Sequence, residues 1–216
     1  MEFSLASLWA QIVASLSPLE IVAAALSAVA VALTARQHIW NFPLGIVSCL
    51  LYIIVFGKAK LYSDAGLQVF FICVCAWDWN QWARGGRGGE DLRVLRTPVA
   101  TWGILGLVFV VGTLLQGFLV HRYTDAAAPY IDAGIFWASV GAQWMIGRKY
   151  IENWLIWIAV DVVATVLYWS RGLPVTSVLY AIFCGIAVWG WVEWLRSQRV
   201  QPTIAPRPDG PPIALP

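Results

Sequence analysis

Long apolar runs separated by short polar breaks make up most of the chain. Seven of them approach the roughly 20 apolar residues that an α-helix needs to cross a bilayer. They lie near 19–35, 38–57, 61–83, 98–118, 130–147, 151–170 and 174–195. The pattern predicts an all-α integral membrane protein of seven transmembrane helices. Residues 1–17 form a short amphipathic segment expected at the membrane interface. The longest internal break, Arg84–Thr97, is glycine-rich and of mixed charge. The tail 197–216 is rich in proline beyond Gln201 and is expected to be disordered.

Composition supports a lipid-facing surface. Only 12% of residues are charged and 60% are hydrophobic, with mean hydropathy +0.70. Soluble domains carry about 25% charged residues. The net charge is +2 and no basic block suggests nucleic acid. Cys49, Cys73, Cys75 and Cys184 all fall in apolar runs and read as small apolar side chains. His38 and His121 stand alone, and there is no phosphate-binding loop, so no metal or cofactor is implied. The start Met1-Glu2-Phe3 lacks the basic region of a cleaved signal peptide. With the N-terminus outside, the inner loops hold 10 Lys and Arg and the outer loops 4. The positive-inside rule therefore expects an N-outside, C-inside topology.

The chain also repeats. A shift of 112 residues lays 27–82 on 139–194 without a gap. Ser27 then meets Ser139, Arg36 meets Arg148, Asn41 meets Asn153 and Phe71 meets Phe183. Trp77, Trp79 and Trp82 meet Trp189, Trp191 and Trp194. Three helices end on the side opposite their start, so one extra helix is needed before a second copy can run the same way. The run 98–118 supplies it. The expected plan is a 3+1+3 parallel repeat: a bundle over 18–83, loop and linker helix over 84–118, and a second bundle over 119–196.

Helical spacing, about 100° per residue, places Gln68, Ile72, Cys75, Trp79 and Trp82 on one stripe of the third helix. Tyr180, Cys184, Ala187, Trp191 and Trp194 do the same on the seventh. If the repeats face each other, four indoles line one cavity. That cavity suits a flat aromatic ligand, above all a cationic one. The competing reading for Trp82 and Trp194 is an interfacial belt beside Arg84 and Arg196. On the sixth helix Asn153, Trp157 and Asp161 are spaced i, i+4, i+8, and Asn41 is the repeat mate of Asn153. An intramembrane carboxylate at Asp161 is costly unless it faces protein or water, so it marks either a site or a helix–helix hydrogen bond. Asp78 and Glu193 are expected to reach water or to pair with Arg36 or Arg148. Gln143 is a candidate donor to a ligand.

The run Arg148-Lys149-Tyr150-Ile151-Glu152-Asn153-Trp154-Leu155-Ile156-Trp157 resembles a signature of the Pnu family of bacterial vitamin transporters. Leu61-Tyr62-Ser63-Asp64, Leu67-Gln68-Val69-Phe70-Phe71, the Trp79/Trp82 pair, and Gly190 with Trp194 are similar to other parts of it. The resemblance covers about 25–196. It implies a fold related to the SWEET sugar transporters and facilitated diffusion of nicotinamide riboside across the bacterial inner membrane, followed by trapping through a cytoplasmic riboside kinase. Some relatives carry thiamine or riboflavin instead. The chain departs from the family at Asp78, where many relatives have Gly, and at Asp161, where some have Asn. The expected substrate residues are Trp79, Trp191, Gln68, Asn41, Asn153, Trp82, Trp194, Trp157, Tyr180 and Asp161. Assembly as a homo-oligomer is left open. Two rivals belong to other classes. One is a membrane enzyme using Asp78, Asp161 or Glu193 as acids, and the other a scaffold docking through its Pro-rich tail.

Overall fold

A computed structural model describes residues 18–58, 62–85, 93–124, 128–170 and 174–200. The expected interfacial segment 1–17 and the tail beyond 200 lie outside these residues. Seven helices follow one another: α1 (Pro18–Ala35), α2 (Asn41–Lys58), α3 (Tyr62–Arg84), α4 (Val99–Tyr123), α5 (Pro129–Gly147), α6 (Asn153–Ser170) and α7 (Pro174–Val200). By length and composition alone, Pro18–Ala35, Val99–Tyr123 and Ser177–Val200 can cross a membrane, and Asn41–Val55 and Asn153–Leu167 are shorter apolar helices. On α4, Ile104, Leu107, Leu114 and Leu115 are all exposed, as expected of a surface solvated by lipid.

α1, α2 and α3 pack as one bundle, and α5, α6 and α7 as the other. The bundles meet along two seams, α1 against α7 and α3 against α5. Each seam is the repeat mate of the other. α4 packs on α5. Its glycines make the close approach possible: a Cβ on Gly112 would run into the Trp137 ring, and one on Gly117 into Tyr130.

The turn between the first two helices of each bundle is built twice. α1 and α5 are each followed by a non-glycine residue in the left-handed region, Gln37 at φ 56° and Lys149 at φ 51°. These are repeat mates, and such a conformation costs roughly 1–3 kcal/mol unless its surroundings hold it. Here the same hydrogen bonds hold both. The His38 N–H donates to the Leu33 carbonyl at 2.9 Å, and the Tyr150 N–H to Met145 at 3.0 Å. The Asn41 amide donates to the His38 carbonyl at 2.8 Å and the Asn153 amide to Tyr150 at 2.7 Å. This turn is why α2 and α6 start at Asn41 and Asn153, later than hydropathy alone predicts. α4 and α7 run longer than predicted, to Tyr123 and Val200. Their last turns are polar and extend past the apolar run.

The α3–α4 connection is fastened to the α5–α6 turn. The Leu95 N–H donates to the Lys149 carbonyl and the Ile151 N–H to Leu95, both at 3.0 Å. Glu152 then takes the Thr97 N–H at 2.9 Å, the Thr97 hydroxyl at 2.7 Å and Arg96 at 3.3 Å. Burial pushes the Glu152 carboxyl up, but these hydrogen bonds outweigh it and hold it below its usual range. A carboxylate held low in the fold stabilises it above its unfolded pKa, about 4.3. That contribution disappears as the pH falls through the folded value. Glu152→Gln should therefore lower the melting temperature in detergent at pH 7, with the gap from wild type narrowing below about pH 4. An equal gap at both pH values would contradict this role.

Candidate functional site

One end of the molecule, where α1, α3, α5 and α7 finish, is organised around an approximate twofold axis. The Trp82 indole N–H on α3 donates to the Ile146 carbonyl at the end of α5, at 3.0 Å. The Trp194 N–H on α7 donates to the Thr34 carbonyl at the end of α1, at 3.2 Å. Trp82 and Trp194 are repeat mates, and so are Thr34 and Ile146. Each bundle thus caps a helix terminus of the other, where the last carbonyls have no intrahelical donor. Arg36 lies over the Trp189 ring at 5.4 Å and Arg148 over Trp77 at 5.8 Å, again as mates. Near the axis itself, the Lys149 ammonium donates to Gln37 at 3.2 Å and stands over the Trp82 ring at 4.4 Å.

Four buried rings cross this end in a chain. Phe42 meets Trp82 edge-on at 5.1 Å, Trp82 meets Trp194 at 6.3 Å, and Trp194 meets Trp154 edge-on at 5.5 Å. The outer two contacts are repeat mates of each other. Trp82 and Trp194 are 8% and 0% exposed, so they are not an interfacial belt. Of the expected quartet of indoles, Trp82 and Trp194 meet directly, with Phe42 and Trp154 on their outer sides. No ring contact joins Trp79 to Trp191. Trp79 is 39% exposed, whereas Trp191 and Trp157 are half-buried against the aromatic core.

The remaining sequence candidates divide by depth. Asn41, Asn153 and Asp161 are buried, and Gln68 and Tyr180 are half-buried. On α6 the inward stripe is Asn153, Trp157 and Asp161, rising about 12 Å over eight residues. Two polar atoms at the start of α6 are sealed from solvent and have no partner among the described residues: the Asn153 side-chain oxygen and the Trp154 indole N–H. Buried polar atoms are nearly always satisfied, so such orphans mark where a ligand or water is expected. Trp154 lies flat against Gly190, where a Cβ would come within 2.7 Å of the ring. Sequence reasoning gave Trp154 and Phe42 no site role, because the stripes traced on the third, sixth and seventh helices do not include them. The register shift of 112 already pairs these two residues.

The expectation for Asp78 is corrected. Asp78 does not reach water or an arginine: it is fully buried and accepts the Gln143 amide at 2.7 Å across the α3–α5 seam. Its other oxygen packs onto Gly147 and has no partner. Gln143 is thereby engaged in a seam contact. Glu193 pairs with Arg196 at 3.6 Å on its own helix. Asp78, Asp161 and Glu193 have separate surroundings, and no group of His, Cys, Asp and Glu suited to a metal occurs among the described residues. An apolar groove of about 340 Å³ lies between α3 and α5, lined by Phe70, Cys73, Val74, Trp77, Val140 and Trp144. It contains none of the sequence candidates for substrate.

Comparison with known proteins agrees with this architecture. A family model described as nicotinamide mononucleotide transporter matches residues 17–196. The riboflavin/roseoflavin transporter RibM of Streptomyces davaonensis is 30% identical over 181 residues, covering 81% of this chain and 83% of the relative. The nicotinamide riboside transporter PnuC of Escherichia coli is 27% identical over 210 residues, covering 85% and 87%. A crystal structure of the vitamin B3 transporter PnuC shares the fold with a TM-score of 0.65, at 24% identity and covering 82% of this chain and 80% of that one. With a family model spanning all seven helices and relatives aligned over most of their length, the chain belongs to the nicotinamide mononucleotide transporter family.

Proposed function

We propose that this protein carries nicotinamide riboside across the bacterial inner membrane by facilitated diffusion, binding it between the two three-helix bundles. The observation that carries the proposal is the inward stripe of α6, with two orphaned polar atoms beside an aromatic core. Trp157 and Trp191 would flank the flat ring, and Asn153, Asn41, Gln68 and Tyr180 would serve the amide and ribose. Trp82 and Trp194 close the path at the inner end, taken as cytoplasmic from the distribution of Lys and Arg. Trp79, partly exposed, is given no contact with the ligand. Rocking of one bundle against the other would break the crossed Trp–carbonyl bonds and open that end. Each such bond contributes about 1 kcal/mol, so thermal motion can break the pair. A cytoplasmic kinase would trap the product and keep the gradient inward.

Riboflavin is the second reading, favoured by the 30% identical relative whose name specifies riboflavin and roseoflavin. It uses the same stripe with a larger ring.

Proteoliposomes holding only the purified protein test both readings. Nicotinamide riboside should equilibrate without ATP or an imposed ion gradient, and should not accumulate when no membrane potential is present. Asn153→Ala and Trp157→Ala should each weaken its binding by about tenfold or more, as expected for a lost hydrogen bond or stacking face. Trp79→Ala should bind as wild type does. Uptake of riboflavin but not the riboside would select the second reading, and wild-type binding in both α6 variants would remove the site from this helix.

Trp82→Phe and Trp194→Phe keep the rings and delete the crossed hydrogen bonds. Each should leave ligand affinity within about threefold, weaken the closed inner end, and raise the exchange rate in counterflow. Slower exchange in both would show that the bonds are needed for transport itself.

A further inference from the structure

Asp161 is a buried carboxylate for which the fold has no use. It is 4% exposed, halfway along α6. Its backbone carbonyl takes the Thr165 hydroxyl at 2.7 Å, an ordinary i to i+4 contact. Its carboxylate has no ion pair and no side-chain hydrogen bond among the described residues. Asp78 is different. It too is buried, but Gln143 ties it to the α3–α5 seam.

The repeat supplies an internal control. The positions equivalent to Asn153, Trp157 and Asp161 on α2 are Asn41, Gly45 and Cys49. Both asparagines make the same turn, so Asn is required by the fold. Gly45 and Cys49 show that the same helix position in the same bundle architecture is built without an indole or a carboxylate. Trp157 and Asp161 are therefore additions made on one side only. They are spaced i, i+4, so they lie on adjacent turns of one face with Cβ atoms about 5–6 Å apart. A ring lying on Trp157 would have the Asp161 carboxylate within reach.

Both additions favour the same ligand property. An indole face attracts a cation through its quadrupole. A carboxylate at mid-membrane is unfavourable as an ion until a positive charge comes beside it, and no cation among the described residues pairs with it. We infer that Asp161 is the charge-selecting residue of the site, favouring flat rings with a delocalised positive charge, such as a pyridinium or thiazolium, over neutral rings of the same shape. This rests on the placement of the site proposed above. It separates the two substrate readings, since the riboside is cationic and the flavin is neutral.

The test uses full-length purified protein and two ligands that differ in charge. Nicotinamide riboside and its 1,4-dihydro form share the sugar and the amide, but the second has lost the positive charge. Calorimetry should show wild type binding the cation at least about tenfold more tightly, which corresponds to 1.4 kcal/mol. Asp161→Asn should bring the two affinities within about threefold, by weakening the cation and leaving the neutral form unchanged. Thiamine and riboflavin provide a second cationic and neutral comparison. Wild type preferring the neutral partner in either comparison would overturn the inference, as would an Asp161→Asn variant that weakens both forms equally. If that variant does not fold, judged by melting and gel filtration, the wild-type comparisons decide alone. Failure of the site itself reads differently: Asn153→Ala and Trp157→Ala would then leave cation binding intact while the charge preference persists. Wild type binding none of the four ligands overturns both.

Discussion

The two bundles are joined by an exchange of hydrogen bonds at one end of the molecule. Trp82 caps a carbonyl at the end of α5, and Trp194 caps one at the end of α1. Because the donors are repeat mates and so are the acceptors, each bond implies the other. Much else at this end follows from that symmetry. The edge-on rings Phe42–Trp82 and Trp154–Trp194, the arginines over Trp77 and Trp189, and the left-handed residues Gln37 and Lys149 occur in equivalent pairs. In a membrane, where burial of apolar surface does not drive helices together, such specific contacts and close packing must hold the bundles. An interface made of a few bonds of about 1 kcal/mol each is also one that can open.

Departures from the symmetry are as informative as the symmetry. Asp78 faces Gln143 across one seam, while their mates on the other seam are Gly190 and Val31. The α3–α5 seam therefore has a polar tie that α1–α7 lacks. On α6, Trp157 and Asp161 stand where α2 has Gly45 and Cys49. A site between two related halves need not be symmetric, because its ligand is not.

Much of this was legible in the chain. The seven runs, the extra helix between the repeats and the register of 112 follow from hydropathy and from rare residues such as Trp and Asn falling in step. Helix ends were less legible. Gln37 and Lys149 terminate α1 and α5 in a left-handed conformation that glycine would announce and these residues do not. Asn153 and Asp161 are buried, and so are Trp82 and Trp194, for which adjacency to Arg84 and Arg196 left an interfacial belt as an equal alternative to a site. Arginine was expected to meet carboxylate. Arg36 and Arg148 instead lie on indole faces, and only tertiary packing decides which partner a long side chain reaches. Spacing grouped buried Asn153 and Asp161 with half-buried Trp157 on α6, whereas on α3 it grouped exposed Trp79 with buried Trp82.

The central claim is that substrate lies between the bundles against the inward face of α6. The most direct test is a structure of the protein with nicotinamide riboside bound. The account predicts the pyridinium ring against Trp157, its polar groups near Asn153, and the Asp161 carboxylate beside the positive charge. Density for the ligand elsewhere, for example in the groove between Phe70 and Trp144, with the α6 stripe unchanged, would contradict it.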